Sequence, residues 1–204
     1  GTAPGEKKGT MYLPGWVGGA NWGGAAFDPE SGTLYVPSVT FPWLGALVKG
    51  PGRFTYVQTR KRLDREPGPG PRGLPITKPP YGRITAIDLN TGDHRWMVPN
   101  GDGPRDHPAL KDLNLPPLGQ MGRAAPLVTR TLLFVTEGSA VGLSIPPGGG
   151  GPRMRAFDKR TGKVVAEIPL PAGATGAPMT YLHLGRQYIV VAVADKDHAP
   201  ELVA

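Results

Sequence analysis

The sequence predicts an all-β protein made of β-propeller blades with long Pro/Gly-rich loop insertions, and three observations lead there. First, one turn pattern, Asp-x-x-[Ser/Thr]-Gly, occurs as Asp28-Pro29-Glu30-Ser31-Gly32, Asp88-Leu89-Asn90-Thr91-Gly92 and Asp158-Lys159-Arg160-Thr161-Gly162. Second, runs of alternating apolar and polar residues flank these turns, as strands with one buried face require. Third, no segment sustains helical periodicity. The turns are spaced by 60 and 70 residues, which suits radial β repetition with an insertion in each unit. A β-sandwich is the alternative, but it gives no reason for one turn to recur.

The elements follow in chain order. Thr10-Met11-Tyr12-Leu13 reads as a short strand closed by Pro14, and residues 15–24 as a Gly- and Trp-rich link in which missing Cβ atoms permit close backbone approach. Ala25 to Asp28 and Thr33 to Pro37 form a first hairpin. Residues 38–80 form a long insertion, aromatic early and rich in Pro, Gly and Arg later, of a length that is uncommon in a compact domain. The clearest hairpin spans residues 82–96. Arg83 to Asp88 alternate, Asp88, Asn90 and Gly92 supply the turn chemistry, and Trp96 ends the second strand as a docking aromatic. Residues 99–117 are irregular. Two further hairpins then follow, one across Thr129-Arg130-Thr131 and one across Asp158 to Gly162, separated by a Gly-Pro loop at 146–152. Residues 177–182 and 187–194 pair across 183–186, and Glu201 to Ala204 begins one more strand.

Composition limits the function classes. Gly (31) and Pro (25) exceed a quarter of the 204 residues, near the level at which disorder competes with folding. Their clustering between alternating runs favours short strands with elaborate loops. With no Cys, disulfides and thiolate metal sites are excluded. No apolar run is long enough to span a bilayer. The chain opens on Gly1 with no initiator Met and no signal peptide, so it is expected to begin within a longer gene product or after processing. The net charge of +7 concentrates in Arg53, Arg60, Lys61, Arg62, Arg65 and Arg72. A nucleic-acid surface is one reading of that run, but Pro and Gly interrupt it and no recognition helix or aromatic ladder accompanies it, so a solvated loop is expected.

Four stretches, in order over nearly the whole chain, resemble the pyrroloquinoline-quinone (PQQ)-dependent alcohol and sugar dehydrogenases, the eight-bladed quinoprotein propellers. They are Gly18-Gly19-Ala20-Asn21-Trp22-Gly23-Gly24 running into Asp28-Pro29; residues 81–96, with Ala86, Asp88, Thr91, Gly92 and Trp96 matching the blade-locking pattern; Pro126-Leu127-Val128-Thr129 with Leu132-Leu133-Phe134 and Arg155-Ala156-Phe157-Asp158; and Pro169 to Tyr181 followed by Gln187-Tyr188-Ile189-Val190-Val191. The second lock departs from the pattern, with Ala166 where a Trp is called for. The resemblance implies about three of the eight blades, a single partial propeller domain over 1–204, and the C-terminal part of such an enzyme. It also implies PQQ and calcium as cofactors, with the calcium ligands and catalytic Asp outside this chain. The substrate would be a sugar, polyol or alcohol, and the electron acceptor a quinone or cytochrome. The location would be the periplasm, with any membrane association through a missing N-terminal region, and the fragment alone would be inactive. The remainder of the propeller, or a second copy, would cover its open faces.

By the same resemblance the cofactor-binding candidates are Asn21, Trp22, Gly122 and Arg123. An Asn can donate to and accept from a quinone's polar edge, or bond its own loop instead. Trp22 would line the pocket or pack buried between blades. Arg123 can pair with a carboxylate or face solvent, and Gly122 shares its stretch. Thr175 and Pro178 read as the turn into a strand. Asp28, Asp88 and Asp158 are expected to cap turns, not to act as acids or bases. No catalytic or metal-binding residue is assigned within the chain, since its His and Asp residues lack ligand spacing. A non-catalytic propeller scaffold, similar to the outer-membrane assembly lipoprotein, is the alternative function.

Overall fold

The computed structural model describes residues 9–15, 18–59, 70–138 and 150–204. Trp16 and Val17 of the Gly/Trp link, the basic run from Arg60 to Glu66 and residues 146–149 of the Gly-Pro loop lie outside the described residues.

Three antiparallel sheets stack face to face. The first runs in the order β2 (Ala26–Asp28), β3 (Thr33–Val39), β6 (Gly82–Asp88), β7 (His94–Pro99). The second comprises β8 (Pro126–Val128), β9 (Leu132–Thr136), β10 (Arg153–Asp158) and β11 (Val164–Pro169), again in chain order. The third is β12 (Met179–His183), β13 (Arg186–Val193) and β14 (Glu201–Val203), extended by a bridge between Ala174 and Val193. Two complete meanders and three strands of another make a partial propeller.

Alternation produces the stacking. In β3, Thr33 and Tyr35 point one way and are buried. With Ala26, Ile84, Ala86 and the partly buried Trp96, Tyr35 meets Leu133, Val135 and Phe157 of the second sheet. The second sheet is covered on its other face too, where Met154 and Phe134 pack against Val191 and Val193. Sheets covered on both faces must be apolar on both, which is why β9 reads as a nearly continuous apolar run and β10 carries Met154, Ala156 and Phe157 on its two faces.

Residues 38–80 are an insertion between two neighbouring strands of one sheet, but they are not all loop. Residues 38 and 39 complete β3, and β4 (Trp43–Lys49) and β5 (Tyr56–Thr59) form a small sheet with β1 (Thr10–Tyr12). The early aromatic and β-branched residues form strands, and residues 70–80, the described part of the later Pro- and Gly-rich portion, carry none.

The turn count is corrected as well. Asp28 and Asp88 sit in the same sheet, one between its first two strands and one between its last two. The structural repeat is the 70-residue spacing of Asp88 and Asp158. Register confirms it: Ala86 faces Trp96 with a bulge before Ile87, and Ala156 faces Ala166 with a bulge before Phe157. All three Asp residues cap their turns as expected, accepting backbone N–H groups from Glu30, Asn90 and Arg160.

Trp96 locks the first sheet to the second. Its Nε1 donates to the Lys159 carbonyl (3.2 Å), which also accepts from the Tyr35 hydroxyl (2.9 Å). Lys159 Nζ lies 2.7 Å from Asp28 Oδ2, both side chains being buried. Burial alone would raise the Asp28 carboxyl, but the Lys159 ammonium paired with it and the hydrogen bond from the Ser31 hydroxyl hold it below its ordinary 3.8.

Candidate functional site

The residues leading into the first strand of each sheet converge. Trp22 and Gly23 before β2, Arg123 and Ala125 before β8, and Ala174, Thr175, Gly176 and Ala177 before β12 line one cleft of about 190 Å³. Its floor is backbone and small side chains. A Cβ on Gly23 would fall 2.7 Å from the Ala124 carbonyl oxygen, so only Gly lets the first two sheets close here.

Two side chains give the cleft its chemistry. The Arg123 guanidinium lies 5.8 Å from the centre of the Trp22 ring, a cation–π arrangement. Arg123 Nε is buried with no hydrogen-bond partner among the described residues. Trp22 is 68% exposed, so it is not buried between sheets, and its indole is an open apolar surface. The Asn21 Oδ1 accepts from the Trp22 N–H at 2.7 Å, a bond within its own loop that orients the segment carrying the indole.

Gly122 is absent from the lining and shapes it from behind. A Cβ there would sit 1.9 Å from the Glu137 carbonyl oxygen, and one on Gly138 would sit 2.5 Å from the Arg123 carbonyl. The backbone of residues 122–123 therefore rests directly on residues 137–138. Thr175, expected to be only part of a turn into a strand, lines the cleft, and its N–H and hydroxyl donate to the Ala192 carbonyl.

Behind this backbone lies a buried ionic group that sequence reasoning missed. Glu137 follows β9 and Arg155 sits in β10, each about 3% exposed at its side chain, and Arg155 Nη1 donates to Glu137 Oε1. Arg155 Nε donates to Glu167 Oε1 of β11 at 2.8 Å, and its Nη2 lies 3.8 Å from Asp102. Burial pushes the Glu137 carboxyl up, and the Arg155 hydrogen bond and charge offset only part of that. Burial would lower Arg155, but Glu137 and Glu167 outweigh it and raise it. A signal was available: Arg155 lies between Met154 and Ala156 and shares its face of the strand with Phe157, all three buried.

Among the described residues no three His, Asp or Glu side chains gather to hold a metal ion. What the cleft offers is one cation, one indole face and a wall of small residues. That set fits a flat, carboxylate-bearing ring: the guanidinium with its unpartnered Nε matches a carboxylate, and the indole matches a planar face.

The family described as the PQQ glucose/ethanol/alcohol dehydrogenase β-propeller domain matches residues 2–189. Quinate/shikimate dehydrogenase (quinone) of Acinetobacter baylyi is 30% identical over 223 residues, covering 98% of this chain and 26% of that protein. The glycerol dehydrogenase large subunit of Gluconobacter thailandicus is 30% identical over 227 residues, covering 93% and 28%. Among solved structures, quinohemoprotein alcohol dehydrogenase from Comamonas testosteroni superposes with a TM-score of 0.58 at 22% identity, over 92% of this chain and 24% of that one. A europium-containing methanol dehydrogenase gives 0.55 at 21% identity, over 92% and 27%; both show likeness of fold. The chain thus spans about a quarter of the length of these relatives.

Proposed function

The chain belongs to the PQQ glucose/ethanol/alcohol dehydrogenase propeller family, and from that premise we propose that it forms part of the ring of a PQQ-dependent dehydrogenase and one wall of its cofactor pocket. The reaction is the oxidation of a sugar, polyol or alcohol, with electrons passed to a quinone or cytochrome. Relatives named for quinate, glycerol and glucose support a polyhydroxylated substrate over a simple alcohol. When bound, PQQ supplies the two-electron acceptor for the substrate carbon. Calcium, the general base and the calcium ligands belong to segments outside this chain, and the compartment is the periplasm.

The observation that carries this reading is the cleft where three first strands begin, with Arg123 over Trp22. Arg123 holds a cofactor carboxylate through its guanidinium, whose Nε is otherwise unpartnered. Trp22 presents its face to the flat ring and excludes water from it. Asn21 fixes the Trp22 backbone, and Gly122 lets the Arg123 segment lie flush on residue 137. The remainder of the ring covers the outer face of the first sheet, where Phe27 and Met97 are each 50% exposed.

The test is PQQ binding to the intact protein with calcium, followed by quenching of tryptophan fluorescence, alongside dye reduction with a panel of sugars and polyols. Arg123→Gln removes a charge-assisted bond worth about 1.5–3 kcal/mol, so PQQ affinity should fall roughly 10- to 150-fold. Unchanged affinity in this variant would refute the placement of Arg123. Failure of the wild type to bind PQQ or to turn over any of the panel would refute the function.

A further inference from the structure

The three sheets share one orientation, because the residues leading into each first strand meet at a single cleft. Their first hairpins therefore all point to the opposite end of the molecule. They do not end level. In the second sheet β9 covers five residues from the cleft end to its turn, whereas β13 covers eight. At about 3.3 Å per residue, the β12–β13 hairpin projects roughly 10 Å past its neighbour.

The tip of this projection is apolar. Residues 181–187 are all exposed, with Leu182 at 74% and Leu184 at 88%. Leu184 (φ 49°) and Gly185 (φ 76°) form the two-residue turn, a place where Asn-Gly is the favoured pair and a leucine costs backbone strain. The corresponding turns of the other sheets carry Glu30 and Ser31, and Thr129 and Arg130. A strained, solvent-facing leucine contributes nothing to the turn itself. Just behind the tip, Tyr181 and Tyr188 stack at 5.2 Å. The side of this end next to the hairpin is cationic, with Arg186 on the hairpin and Arg130, Arg160 and Lys163 on the turns of the adjoining second sheet, while the exposed acids Glu30 and Asp93 lie on the turns of the first sheet, one sheet further away. The carboxylate among the second sheet's turns, Asp158, is occupied by the N–H groups of Arg160 and Thr161.

We propose that this hairpin is a membrane-surface anchor, placing Leu182 and Leu184 in the interfacial region of an anionic bilayer. Tyr181 and Tyr188 then sit at headgroup depth, and the four cations face lipid phosphate. The dimensions agree, since interfacial segments bury their apolar side roughly 5–10 Å deep. The apolar tip, with Arg186 beside it reaching back toward phosphate, the aromatic layer behind, and the cations of the second sheet's turns as a rim follow the depth order of membrane interfaces. A protein partner needs about 800 Å² of contact on each side, which a two-leucine tip does not supply. A lipid surface accepts a few inserted side chains provided charge assists.

The full chain contains no cysteine, so Leu184→Cys can be labelled uniquely with an environment-sensitive fluorophore, and Asp106→Cys at the cleft end serves as control. With phosphatidylcholine vesicles containing phosphatidylglycerol, the label at 184 should shift to the blue and brighten while the label at 106 stays unchanged. Adding Arg186→Glu should weaken vesicle partition at least fivefold, since one basic residue near an anionic surface contributes about 1 kcal/mol. No change at 184, an equal change at both sites, or an equal response to pure phosphatidylcholine overturns the proposal. So does partition that Arg186→Glu leaves intact.

Discussion

Replacing Gly162 by alanine tests the contact that joins the first two sheets. The turn holds Gly162 at φ 73°, where an L side chain costs about 1–2 kcal/mol whatever its surroundings. The surroundings add a second cost. The new Cβ would lie 2.8 Å from Trp96 Cε3, 2.9 Å from Cδ2 and 3.0 Å from Val98 Cγ1, against about 3.5–4 Å for ordinary carbon contacts. The indole must retreat, straining its bond to the Lys159 carbonyl, and overpacking of this kind costs about 1–3 kcal/mol. Gly162→Ala should therefore lose roughly 2–5 kcal/mol. Gly92 occupies the equivalent turn of the first sheet at φ 82°, where an added Cβ would meet nothing within 4 Å, so Gly92→Ala in this chain should lose only the backbone part. Urea unfolding, followed by near-ultraviolet circular dichroism, reads the difference. The decisive arm is a double-mutant cycle with Trp96→Ala: with the indole gone, most of the steric part of the Gly162→Ala cost should vanish, leaving the backbone part and the flexible Val98 contact. A Gly162→Ala penalty that is the same with and without Trp96 would refute the claim that the ring rests on this turn.

The buried pair at the back of the cleft makes a second prediction. Arg155→Met leaves Glu137 buried without its cation and should destabilise by about 3–5 kcal/mol, whereas replacing both with apolar residues of similar size should recover much of that loss; urea midpoints decide. The carboxylates predict opposite pH trends. Asp28, Asp88 and Asp158 all lie below their ordinary 3.8, so their contributions are present above that value and vanish as pH falls through the folded values. Glu137 is raised above 4.5, so its contribution is complete below 4.5 and fades as pH rises through its folded value. Glu137→Gln should abolish the second trend in thermal unfolding and leave the first intact.

Much of the fold was legible because its determinants are local. Alternation marks the strands of the hairpins, turn chemistry marks Asp88 to Gly92 and Asp158 to Gly162, and a lone large aromatic at a strand end marks Trp96 as a docking residue. Sequence is ambiguous where identical local chemistry serves different places. Asp28 and Asp88 start the same turn, yet one joins the first two strands of a sheet and the other its last two. Nothing within a few residues distinguishes them. β4 and β5 were missed in the long insertion because Pro and Gly further along masked a short apolar run.

The candidate site divides the same way. The sequence by itself determined that Asn21-Trp22-Gly23 and Gly122-Arg123 belong to links rather than strands, and that the chain is a run of repeated β units. Only the tertiary structure decided that two such links and the segment from Ala174 to Ala177 share one cleft. It also decided that Trp22 is open, that Gly122 works through its backbone, and that Lys159, Glu137 and Arg155 are buried ions. Strand and turn formation depend on the conformational preferences of neighbouring residues, which sequence carries directly. Which faces stack, and which charges are thereby removed from water, depends on contacts between residues many tens of positions apart, and those exist only once the sheets have closed on one another.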